Sequence, residues 1–146
     1  MAKNNFDRKV INDFGNEWES YDQSSVDSKE LKKQFSDYFK LFSWQEKITN
    51  GIGVDFGCGT GRWAKFVSEK VNCLICIDAS NKAIRVAKRN LLDKRNCYVI
   101  QGRIDALPIL NNSVDFAYSL GVLHHLPNTE QALKKCINKL KPGAPF

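Results

Sequence analysis

Three glycines alternate at positions 57, 59 and 61 of the stretch VDFGCGTGRW, directly after the apolar run GIGVDF. Glycine weakens strands and helices alike, so three together mark a place where the backbone must turn sharply or approach something closely. Gly57 suits the sharp turn, Gly59 leaves room for a ligand against the main chain, and Gly61 lets a following helix pack closely. The start of that helix offers free N–H groups and a partial positive charge, which suit a carboxylate or a phosphate. The spacing is GxGxG, not the dinucleotide fingerprint GxGxxG, whose third glycine would fall where Arg62 stands. No GK[ST] follows, so a P-loop is excluded too.

Two further clusters invite chemistry. Cys73 and Cys76 form a CxxC, but within the β-rich run NCLICID residues three apart point to opposite faces of a strand. They read as core thiols, and the odd count of five cysteines argues against a disulfide framework. His124 and His125 are adjacent and are the only histidines, too few ligands for a zinc site. His124 is the candidate base for an acceptor, with a purely structural role as the alternative.

The elements that must hold these residues follow from periodicity. Residues 1–50 form a polar and aromatic segment, in which Leu31, Phe35, Tyr38, Phe39 and Phe42 recur at helical steps. Such a face either packs or serves as a lid. From residue 51 strands and helices alternate: strands at GIGVDF, NCLICIDA, NCYVIQG and SVDFAYSLG, and helices at TGRWAKFVSEKV, SNKAIRVAKRNLL and NTEQALKKCINKL. The second helix has Ser80 or Asn81 as its cap and the third has Asn128 or Thr129. Alternation of this kind implies an α/β fold with a parallel sheet. In such sheets ligands bind beyond the carboxyl ends of the strands, and the glycines stand at that rim.

Composition bounds the rest. The 146 residues suit one core, with 42% hydrophobic and 26% charged residues. No apolar run approaches the roughly 20 residues that span a bilayer, and MAKNNFDRKV lacks a secretory pattern, so a cytoplasmic protein without membrane contact is expected. The net charge of +6 is spread out, and its densest group, Lys82 to Arg95, falls on a helix face opposite Ala83, Ile84, Ala87 and Leu91. That reads as a solvated face and not as a nucleic-acid surface.

The stretch VDFGCGTGRW resembles the first motif of class I S-adenosylmethionine-dependent methyltransferases. CIDAS, QGRIDALP, DFAYSLGVLHHLPN and LKPGAPF resemble that family's later segments in the same order, so the resemblance covers about residues 50–146. It implies a Rossmann-like sheet of order 3-2-1-4, and S-adenosylmethionine as cofactor with S-adenosylhomocysteine as product. It implies cofactor contacts at Asp55, Gly57, Cys58, Gly59, Gly61, Asp78, Ala79, Arg103, Ile104 and Leu120, and no metal. Asp78, at the end of the second strand, matches the acceptor of the ribose hydroxyls. Asp55 either holds the cofactor's ammonium or braces the loop. Arg103 replaces an aspartate that meets the adenine amine in many relatives, and arginine cannot accept that hydrogen bond. The adenine would then rest on the Ile104 N–H, with Arg103 stacked on the ring or turned to solvent.

The subgroup with the LHHLP pattern mostly methylates small molecules, and the [DNS]PP[YF] pattern of nucleic-acid amino-methylating enzymes is absent after the fourth strand. A small-molecule acceptor is therefore expected. Relatives continue past LKPG into three more strands, so a shortened chain is expected, with an exposed fourth strand that invites self-association. Two other readings stay open: a non-catalytic cofactor- or partner-binding module, and a nucleotide-dependent oxidoreductase, which Arg62 disfavours.

Overall fold

The computed structural model describes residues 5–20 and 27–146. Four parallel strands, β1 (Ile52–Phe56), β2 (Cys73–Asp78), β3 (Cys97–Gln101) and β4 (Phe116–Tyr118), lie in the order β3-β2-β1-β4. The alternating pattern led to a parallel sheet, and the order is the Rossmann-like one that the resemblance implies. The pairing register sets Gly53 beside Leu74 and Phe116, and Asp55 beside Cys76 and Tyr118. Side chains alternate across a strand, so these residues share one face, while Val54, Phe56, Ile77 and Ala117 share the other.

Each face has its own core. Helix α5 (Asn81–Asn90) covers the first face with Ile84 and Ala87, and the short helix α4 (Ala64–Val67) adds Ala64 and Val67. Helix α6 (Thr129–Ile137) covers the second with Ala132 and Cys136. Ser80 caps α5, its hydroxyl accepting from the Ala83 N–H, and Asn128 caps α6, accepting from the Gln131 N–H at 2.8 Å. Glycine at position 53 is a packing requirement: a Cβ there would sit 1.9 Å from the Phe116 ring, which fills the space. Cys76 is buried, whereas Cys73 is only partly so.

The residues before the sheet form three helices, α1 (Arg8–Ser20), α2 (Ser28–Tyr38) and α3 (Glu46–Thr49). Residues 1–4 and 21–26 of the N-terminal segment lie outside the described residues. The aromatic stripe of α2 is a packing face. Phe35 and Phe39 join the first core, Phe39 meets Tyr118 edge-on with ring centroids 5.2 Å apart, and Phe42 meets Phe116 at 5.8 Å. Edge-on geometry suits the ring quadrupoles.

Three expectations need correction. The helix after the glycines is α-helical only over Ala64–Val67, because the preceding residues are spent on turns. The helical stretch over 28–48 breaks between α2 and α3. The outer edge of β4 is not bare. Residues 139–145 run beside it: the Val114 N–H donates to Lys139 O, the Lys141 N–H donates to Val114 O, and the Ala117 N–H donates to Pro145 O at 3.1 Å. Phe146 also stacks on Phe56 at 6.5 Å. Backbone groups paired in this way are unavailable to a second chain. Among the described residues no helix is long and apolar enough to cross a membrane.

Candidate functional site

The turn after β1 is anchored to the end of β2: the Gly57 and Cys58 N–H groups both donate to Ile77 O, at 2.7 and 2.9 Å. This draws the carboxyl ends of the two central strands together beneath an open cleft. Gly57 and Gly59 take φ of +80° and +53°, the left-handed region that glycine enters without penalty. Gly61 shares that conformation, with φ of +77°, and adds a packing demand. A Cβ there would meet Leu91 Cδ1 at 2.8 Å, so this glycine also lets the chain pass close under α5.

Asp78 is the polar floor of the cleft. Its Oδ2 accepts from the Gly59 N–H at 3.0 Å and its Oδ1 from the Ser80 N–H at 2.8 Å. The side chain thus fastens the glycine turn to the start of α5, and each oxygen keeps a further lone pair for a ligand. Burial pushes its pKa above the ordinary value against the pull of these backbone bonds.

Asp55 lies on β1 beneath the turn and does not line the cleft. It is 2% exposed. The Tyr118 hydroxyl faces it, yet neither Asp55 Oδ2 nor that hydroxyl closes a hydrogen bond. Desolvation pushes the Asp55 pKa up to about 8, and the thiol of neighbouring Cys58 is pushed up by burial as well. The consequence for stability has a definite sign. Between the ordinary value of 3.8 and about 8 the unfolded chain ionises Asp55 while the folded chain keeps its proton, so stability is lost as pH rises through that window. Asp55→Asn is expected to flatten this loss in the cofactor-free protein, read as melting temperature at a series of pH values. An unchanged slope would mean that the carboxyl ionises normally in the folded chain.

The far end of the cleft is formed by Gly102, Arg103 and Ile104. Arg103, expected to stack on the adenine ring or to turn to solvent, is held by two neighbours. Its guanidinium forks onto Asp105, with Nε donating to Oδ1 at 2.8 Å, and its face lies 3.6 Å from the Phe6 ring centroid. Asp105 therefore answers the charge that Arg103 brings to this end of the cleft.

The two histidines take different places relative to the cleft. Leu123–His125 form a 3₁₀ turn in which successive side chains diverge by about a third of a turn. His125 lines the cleft, its ring 4.6 Å from that of Phe14, whereas His124 stacks behind it at 3.8 Å and does not. Partial desolvation, then His124, push the His125 pKa below the ordinary histidine value.

The residues least visible beforehand belong to α1. Val10, Ile11, Phe14 and Trp18 line the cleft, with the Trp18 indole nitrogen 3.4 Å from where a Gly59 Cβ would lie. Their three- and four-residue spacing is a signal that could have revealed this helix. Asp7 caps it, accepting from the Lys9 N–H at 2.8 Å. Glu19 ties its other end to Lys82 and Arg85 of α5. Asn5, beyond the cap, exchanges two hydrogen bonds of 2.8 Å with the Asn128 backbone. Of the other expected residues, Gly57, Cys58, Gly59, Ala79, Ile104 and Leu120 line the cleft, while Gly61 and Asp55 support it from outside.

Comparison with known families matches residues 54–146, more than half of the chain, to the methyltransferase domain. The chain belongs to this methyltransferase-domain family. It is 31% identical over 112 residues to the demethylmenaquinone methyltransferase of Lactococcus lactis, covering 68% of this chain and 44% of that protein. It is 30% identical over 91 residues to a tRNA (carboxymethyluridine(34)-5-O)-methyltransferase of Schizosaccharomyces pombe, covering 62% of this chain and 36% of that one. A crystal structure of an S-adenosylmethionine-dependent methyltransferase from Aquifex aeolicus shares the fold with a TM-score of 0.68 at 21% identity, over 94% of this chain and 69% of that chain. The chain thus spans only part of its curated relatives' length.

S-adenosylmethionine is the cofactor that membership in this methyltransferase family brings. The cleft fits it on two counts. The carboxylate of Asp78 faces a place suited to paired hydroxyls. The positive φ at Gly59 leaves a surface without a side chain for a ligand to lie against.

Proposed function

We propose that this chain is an S-adenosylmethionine-dependent methyltransferase that acts on a small-molecule acceptor held between the glycine turn and α1. The supporting observation is the cleft itself, which is walled by apolar and aromatic groups of α1 and of the segment after β4: Phe14, Trp18, Leu120, Val122 and Leu126. A concave, mostly apolar site with few polar groups suits a small molecule that carries a ring or chain.

The cofactor supplies a methyl group on a sulfonium, already attached to a good leaving group. The chain's own work is positioning and exclusion of water, which account for much of the rate in such transfers. Asp78 orients the ribose end and the Gly57–Gly59 turn supports the other end. Residues 7–18 serve as the lid. His125 is the base that this cleft offers to an acceptor, since its imidazole lines the wall and its lowered pKa keeps it neutral near pH 7. This role passes to His125 from His124, whose ring faces away. A cytoplasmic location is supported by the free thiols of all five cysteines, which suit a reducing compartment.

The test follows the labelled methyl group from S-adenosylmethionine into a panel of phenols, hydroquinones and amines, with tRNA in a parallel reaction. Label in low-mass products that is lost in His125→Ala is the expected result. Label confined to tRNA would overturn the small-molecule reading, and failure to bind S-adenosylhomocysteine would overturn the whole assignment.

A further inference from the structure

A second groove lies beside the cleft, between the C-terminal end of α6 and the segment that follows β3. Ile104 lines both, and the Arg103–Asp105 pair spans them, with Arg103 on the cleft and Asp105 on the groove. Asn111, Lys135, Asn138 and Lys139 make the rest of its polar lining.

Both lysines are held in place by neutral groups. The Lys135 Nζ donates to Asp105 O at 3.0 Å, and the Lys139 Nζ donates to Asn111 Oδ1 at 2.8 Å. Among the described residues neither has a carboxylate partner, whereas Lys134 and Lys141 pair with Glu130 and Asp115. The one carboxylate that lines the groove, Asp105, gives both of its oxygens to Arg103. The groove therefore keeps two uncompensated positive charges. Like charges four positions apart on a helix repel each other. Lysines are drawn to a helix C-terminus by its bare carbonyls. That need is met here by other groups, because the Asn138 and Lys139 carbonyls accept from the N–H groups of Asn112, Ser113 and Val114.

The donors that remain describe the ligand. An ammonium has three N–H groups, so each lysine keeps two for it. Asn111 turns its oxygen to Lys139, which leaves its NH2 to donate. Asn138 brings a second amide. A carboxylate carries a single charge and leaves one lysine unanswered. A phosphate monoester carries about two negative charges near neutral pH and three acceptor oxygens, and matches the set.

We propose that this groove binds the phosphate of a phosphomonoester, with Lys135 and Lys139 as its counter-charges and the Asn111 and Asn138 amides as neutral donors. The site is separate from the cofactor cleft and stands whatever the methyl acceptor is.

The experiment titrates inorganic phosphate, then phenyl phosphate, into the isotope-labelled chain at fixed ionic strength and follows the amide NMR shifts. Saturable shifts centred on residues 104–111 and 135–139 are expected, with phenyl phosphate binding at least as tightly as inorganic phosphate. Lys135→Gln combined with Lys139→Gln should weaken both at least about ten-fold. Lys134→Gln, which removes a lysine already paired with Glu130, should leave them unchanged. Asn111→Asp puts a carboxylate beside Lys139. It should displace phosphate while keeping or raising the melting temperature, so that lost binding there is not lost fold. Shifts that never saturate, that spread over all the lysines, or that persist in the double variant overturn the proposal. A single-stranded RNA that binds more tightly than the monoester, and loses that binding with the same two lysines, overturns it in favour of a phosphodiester backbone.

Discussion

Gly59→Val is expected to abolish cofactor binding while the sheet stays folded. Position 59 has φ of +53°, a region that a β-branched residue essentially does not enter, and the backbone strain alone costs about 1–2 kcal/mol. The new side chain would also project toward the Trp18 indole, whose nitrogen lies 3.4 Å from the Cβ position, and close the gap between the turn and α1. Both effects act at the cleft, away from the two cores. The turn's anchors, the Gly57 and Cys58 N–H bonds to Ile77, precede the substitution and can persist. Affinity for S-adenosylhomocysteine should fall by at least about a hundred-fold, equivalent to roughly 2.7 kcal/mol. Circular dichroism measured alongside calorimetry checks both halves. Wild-type affinity in a folded variant would show that nothing needs to approach the backbone at this position.

Asp78→Ala is expected to weaken the cofactor and loosen the turn together. On the ligand side, lost hydrogen bonds to a charged acceptor cost roughly 1.5–3 kcal/mol. On the protein side, the Gly59 and Ser80 N–H groups lose their acceptor. Both stand at the rim of an open cleft, so water can replace the carboxylate, and the stability cost should stay near the low end, about 1 kcal/mol. Binding should therefore suffer more than melting. Asp78→Asn separates the two roles, since its single carbonyl oxygen can keep one of the backbone bonds but carries no charge. An unchanged dissociation constant for Asp78→Ala would remove this residue from the site. A melting loss larger than the binding loss would make it chiefly a brace.

Much of this protein is legible along the chain because its determinants are local. Alternation within GIGVDF and NCLICID, helical steps within NKAIRVAKRN, and the caps Ser80 and Asn128 each concern residues a few positions apart. Right-handed crossovers between parallel strands then leave few ways to order the sheet. The glycine turn belongs to the same class, as does Asp78 at the end of its strand: a ligand surface built from consecutive backbone is written in consecutive residues.

What only the tertiary structure decided depends on residues far apart in the chain. Helix α1 and the residues before it are held by Glu19 reaching Lys82, 63 positions on, and by Asn5 meeting Asn128, 123 positions on. No periodicity within α1 records either partner. His125 and not His124 lines the cleft because the angular step of a 3₁₀ turn, set against Phe14 of α1, selects which of two identical rings faces it. Arg103 pairs with Asp105, two residues away, because a bend from 103 to 106 turns the two side chains together. The edge of β4 is closed by residues 139–145, since backbone donors and acceptors that run alongside one another pair whatever their side chains are. Local patterns thus determined the sheet and the turn beneath the ligand, and long-range contacts decided what covers it, because side-chain spacing encodes a face but not the surface that the face will meet.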